Sequence, residues 1–124
     1  MFLRNGFSLV ELIFVLGIIA LLLAICLPGM NRFSSRLYLD ASAKSIASEL
    51  RSLQGQAMLE HKSMSYDINN LKLPHGVKII KASSLRFASS GFPPPGGSGS
   101  IVLKDLYGHS LQIVLSSAGR TRVE

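Results

Sequence analysis

One cysteine is all that this chain of 124 residues has, and Cys26 lies in an apolar stretch, so an intramolecular disulfide is impossible. The signatures of catalysis are missing too. Gly96-Gly97-Ser98-Gly99 is followed by Ser100, so no G-x-S-x-G nucleophile elbow is present. No G-x-G-x-x-G and no P-loop offers backbone amides to a phosphate. His61, His75 and His109 stand apart without metal-ligand spacing, and Asp67 and Asp105 have no partner acid that spacing would identify. These absences argue against an enzyme, a metal site and a cofactor. Acids are also few, seven against thirteen Lys and Arg, for a formal net charge of +6. Such a surplus suits anionic lipid, nucleic acid or plain solubility, and does not choose among them. The length leaves room for one modest domain and an anchor.

What the sequence does have is apolar length. From Leu12 to Leu27 no charged or strongly polar residue occurs. Just ahead stand Gly6-Phe7-Ser8-Leu9-Val10-Glu11, preceded by one positive charge at Arg4. The carboxylate of Glu11 is costly there, since a charge at the centre of a bilayer costs about 2.5–3.5 kcal/mol on insertion scales. A cleaved signal peptide has a similar outline, yet no clean A-x-A site follows the run. A lipoprotein site at Leu23-Ala24-Ile25-Cys26 puts bulky Ile25 where a small residue belongs. A plain anchor leaves Glu11 without a reason.

At these residues the chain resembles the type IV pilin superfamily, which includes the pseudopilins of type II secretion. The family pattern is a short basic leader ending in Gly, then an aromatic, three mostly apolar residues and Glu. Gly6, Phe7 and Glu11 occupy those positions, with Ser8 an allowed replacement for Thr. The resemblance covers Met1 to about Arg36. It implies a leader over residues 1–6, cleavage between Gly6 and Phe7 by a prepilin peptidase, and N-methylation of Phe7. It also implies a single-pass place in the bacterial inner membrane, with the C-terminal region outside the cytoplasm. Extraction by an assembly platform and an ATPase into a filament of other pilin or pseudopilin subunits would follow.

The residues supply a physical reason for the acid. Cleavage removes Arg4, takes the net charge from +6 to +5, and leaves a new amine four residues from Glu11. A carboxylate in apolar surroundings is driven to neutrality unless a cation is near. The amine of an adjacent subunit would be that cation and would fix axial register. Pairing within one subunit is the alternative, because i and i+4 groups meet on a helix.

From Phe7 to Met30 a helix would extend about 36 Å, enough to cross a bilayer core of about 30 Å. Gly17 and Ala20 are small enough to admit a neighbouring helix. Pro28, with Gly29 beside it, is expected to kink or locally melt the helix or to end it; in the family a proline here marks a bend. Leu39, Ala43, Ile46, Leu50, Leu53 and Ala57 then step by four and three, predicting an amphipathic half over residues 31–62 that continues despite Ser34-Ser35.

After Lys62 the period changes. Strands are expected at Met64–Ile68, Val77–Ile80, Leu85–Ala88, Ile101–Leu106, Leu111–Leu115 and Arg120–Val123, with a loop at Gly91–Gly99. The expected fold is α+β, a long N-terminal transmembrane helix packed on a small antiparallel sheet over residues 63–124.

Leu115-Ser116-Ser117-Ala118-Gly119-Arg120-Thr121-Arg122 carries a second resemblance, to the ends of H-type minor pseudopilins and FimT/FimU-like minor pilins. The missing disulfide also favours a minor subunit, since many major pilins close a C-terminal loop with one. Two functions are expected. One is a minor subunit of a secretion pseudopilus near its tip, resting on Gly6, Phe7, Glu11 and Pro28. The other is a minor type IV pilin that takes up DNA, with Arg120 and Arg122 on one face of a strand and Lys104 joining them on phosphates.

Overall fold

The computed structural model describes residues 6–124; residues 1–5, with Arg4 and most of the expected leader, lie outside the described residues. Two compact units divide the chain, one up to Phe33 and one over Ser34–Glu124. Helix α1 (Leu9–Glu60) contributes to both.

In the first unit α1 is long and apolar enough to cross a membrane, and none of its most apolar window is buried within the protein. A core helix of the same composition would be covered. The expected melting or helix end at Pro28 does not occur, because Pro28 lies inside an unbroken α1. Proline removes one donor, but the helix is long on both sides of it and propagation is cooperative. Ser34-Ser35 do not interrupt it either.

In the second unit the expected stripe is the buried one. Leu39, Ala43, Ile46, Leu50 and Ala57 are buried, and Leu53 packs against them. The helix stops after Glu60 because His61 turns left-handed at φ 51° and the Lys62 N–H bonds to the Ala57 carbonyl at 3.2 Å. This is a Schellman closure with histidine where glycine is usual.

The strands are β1 (Met64–Ser65), β2 (Lys78–Ala82), β3 (Arg86–Phe87), β4 (Gly99–Lys104), β5 (Ser110–Leu115) and β6 (Thr121–Val123). They form two antiparallel sheets instead of the single one expected, β1-β3 and β2-β4-β5-β6. Several expected ends move. The first strand stops at Ser65 because Asp67 accepts the Asn69 N–H and caps a 3₁₀ turn at Ile68–Asn70. Strand β4 begins at Gly99, inside the expected loop, and ends before Asp105, whose side chain organises the turn. Arg120 precedes β6.

Ile101 and Leu103 on β4 alternate with outward residues, as do Ile113 and Leu115 on β5. With Phe87, Leu85 and Val77 they close the core against the helix stripe. Gln54 ties the far end by donating to the carbonyls of Gly91 at 2.7 Å and Gly119 at 3.4 Å. Gly119 has φ +79°, and a Cβ there would sit 3.0 Å from the Gln54 amide and 3.2 Å from the Gly91 carbonyl, so a side chain would be strained and crowded.

At the opposite end, the Oδ1 of buried Asp105 accepts the amides of Tyr107 at 2.9 Å and His109 at 2.8 Å. Its Oδ2 accepts the Ser35 hydroxyl at 3.2 Å and lies 2.9 Å from His109 Nδ1. Burial alone would raise this carboxyl's pKa, but the bonds from the His109 ring and amide, the Tyr107 amide and Ser35 prevail and hold it below its ordinary 3.8. A carboxyl more acidic when folded adds stability above its ordinary value, and that stability is lost as the pH falls through the folded value. Asp105→Asn should therefore lower Tm at neutral pH and flatten the fall of Tm below about pH 4, read from thermal unfolding across pH. Phe87→Ala should cost about 3–5 kcal/mol in urea unfolding of the full chain in detergent, since Phe87 is fully buried.

Candidate functional site

The residues singled out from the sequence fall into two groups, one in each unit. Gly6, Phe7 and Ser8 precede the helix in non-helical backbone, and Phe7 is 76 % exposed. A bond to be cut must be accessible and free of regular structure, and the Gly6–Phe7 peptide meets both conditions.

Ser8 has a role that the sequence reading passed over. Its carbonyl accepts the Leu12 N–H at 3.1 Å, which places Ser8 at the N-cap and Glu11 three residues on, in the first turn. Ser8-Leu9-Val10-Glu11 is thus the capping-box pattern S-x-x-E, a signal that was available in the sequence. An acid in the first turn also faces the positive end of the helix dipole. Phe7 lies before the N-cap, outside the helix that carries Glu11.

Further along, Pro28 has no N–H to offer the Ala24 carbonyl, so that acceptor lacks its usual helical partner. A Cβ on Gly17 or Gly29 would meet nothing within 4 Å. Among the described residues, their smallness serves no packing. Cys26 is a free, exposed thiol on the same segment.

The second group sits on the sheet. Arg122 lies opposite Val114, and Arg120 opposite Ser116, whose N–H donates to the Arg120 carbonyl at 2.9 Å. Both arginines are exposed, Arg122 on the outward face of β6 and Arg120 just before that strand, with Cα atoms about 6–7 Å apart. Lys104 is exposed on the same face but is not their neighbour. It pairs with Ser110 on β5, two strands from β6 and four residues along from Val114, about 16 Å from Arg122. Its direct cross-strand partner is Lys78 on β2. The sequence could not show this, since it depends on the register of strands distant in the chain. Among the described residues no three His, Cys, Asp or Glu side chains gather as a metal site would need.

The chain has no significant match among curated proteins, nor among solved structures. Residues 1–27 match the family model described as the prokaryotic N-terminal methylation motif, so the N-terminal group carries the type IV pilin signal.

Proposed function

We propose that the chain is a minor pseudopilin or pilin subunit, stored in the inner membrane and assembled into the pseudopilus of a type II secretion system, near the tip. The observation that carries this reading is the methylation motif over residues 1–27, joined to an uncovered apolar helix that starts within it at Leu9. Prepilin peptidase cuts between Gly6 and Phe7 and the new N-terminus is methylated. The amine of one subunit then neutralises Glu11 of the next, which rewards correct register as a subunit leaves the bilayer. Pro28 supplies the bend that lets the anchor adapt between membrane and filament. The C-terminal unit lies outside the cytoplasm, and the partners are the peptidase, the assembly platform, other subunits and lipid. The H-type and FimT/FimU-like placement rests on the Ser116–Arg122 segment and on the lack of a C-terminal disulfide.

A second reading keeps the filament and adds DNA uptake by a minor type IV pilin. Its support is the pair of exposed arginines about 6–7 Å apart, a spacing that suits adjacent phosphates. Lys104 lies too far off to complete that clamp and would contact a separate stretch of backbone.

Intact mass and N-terminal sequencing of the chain from its native membrane test the first reading. A mature chain beginning at methylated Phe7 is expected; one beginning at Met1, or cut after Ile25, refutes it. Glu11→Gln should be cleaved and methylated normally yet be depleted from sheared filaments. For the second reading, duplex affinity that falls steeply with salt and is lost in Arg120→Ala/Arg122→Ala is expected, and salt-insensitive or absent binding defeats it.

A further inference from the structure

Ser35 is the second residue of the C-terminal unit, and its hydroxyl bonds to Asp105 at the β4–β5 turn. This turn is therefore at the end of the unit where the chain arrives from the apolar segment. Eight residues, about 12 Å of helix, separate Leu27 from Ser35. The headgroup layer outside the hydrocarbon is itself about 5–7 Å thick, so along the chain little more than that length separates the apolar segment from the residue that holds the turn.

Its surface has a mixed character. Leu106 is 64 % exposed and Ile80 58 % exposed, and both line a concavity of about 540 Å³ with Gly76, Lys78, Lys104 and Asp105. Leu106 is not loose, because a Cβ on Gly76 would meet its Cδ1 at 3.1 Å. Lys78 and Lys104 face each other directly across β2 and β4, and Lys81, opposite Val102, adds a third cation on that side. Like charges directly opposite are destabilising. Among the described residues neither Lys78 nor Lys104 forms an ion pair. Asp105, which follows Lys104 and lines the same concavity, has a fully buried side chain already committed to four hydrogen bonds. A lysine pair with no acid to answer it is open to an external anion.

We propose that this face, Leu106 and Ile80 with Lys78, Lys104 and Lys81, docks on the surface of an anionic phospholipid bilayer and holds the C-terminal unit against it while the subunit is stored. The proposal rests on the reading of α1 as a membrane anchor. Phosphates occupy the lysines, whose aliphatic stems lie beside apolar side chains that enter the boundary of the acyl region. Nucleic acid would satisfy the lysines but gives no reason for two large aliphatic side chains exposed between them.

The chain contains no tryptophan, so Leu106→Trp introduces a single emitter. Full-length protein is reconstituted into vesicles of phosphatidylcholine alone or mixed with phosphatidylglycerol, and flotation records insertion. The expected result is a blue shift of emission, with quenching by brominated acyl chains, in the anionic vesicles and not in the neutral ones. High salt should reverse the shift. Lys78→Glu/Lys104→Glu in the same background should lose it, and Lys78→Gln/Lys104→Gln should weaken it if the acidic pair disturbs folding. Water-like emission from protein that has floated with anionic vesicles overturns the docking while leaving the anchor intact. Failure to float with either vesicle removes the anchor and the docking together. Emission that answers to duplex DNA and not to vesicles also overturns the proposal.

Discussion

Backbone amides and carbonyls have no water to turn to inside a bilayer, so an apolar segment that crosses one must satisfy them within itself. The apolar first part of this chain meets that condition, since it is helical from Leu9 onward. In this protein the helix does not end where the apolar run ends. Through Glu60 the same hydrogen-bond ladder serves a second environment, in which one stripe is covered by protein. Small residues make the cover possible: Ala43, Ala47 and Ala57 lie on the buried side, where strands can approach the helix backbone closely. Larger Leu39, Ile46 and Leu50 fill the space between.

Burial of a stripe sets which face meets the sheet, and polar side chains set how far along it the sheet sits. Ser35 reaches the β4–β5 turn at one end, and Gln54 reaches Gly91 and Gly119 at the other. Between them the Tyr66 hydroxyl donates to Glu49 at 2.7 Å. Burial first, then this bond and the Glu49 charge, raise the tyrosine's pKa far above its ordinary value, so it remains a donor. Apolar contact is non-directional and tolerates sliding. These bonds do not.

How much of this was legible in the sequence followed from the range of the interactions concerned. Gly6, Phe7, Glu11 and the helix stripe depend on neighbours within a turn or two, and the sequence displays them. The strand ends depend on Asp67 and Asp105 capturing backbone amides two and four residues on, a competition that hydrophobic alternation does not register. Alternation at Met64–Ile68 was real, but the capped turn prevailed. Unbroken helix at Pro28 reflects cooperativity across a long segment and not the preference of one residue. The split into two sheets and the pairing of Lys104 with Lys78 are matters of long-range register, for which local pattern offers no signal.

The order of pairing in the two sheets has one more consequence. Strand β1 pairs with β3 across β2, and β2 pairs with β4 across β3. The two pairings interleave along the chain, so neither is a hairpin that can close alone, and each sheet's connection passes through the other. Loss of either sheet frees a segment that the other needs in place. Partial opening of this region is therefore disfavoured, and the two sheets behave as one cooperative block despite sharing no strand. The C-terminal unit therefore opens as a whole or not at all.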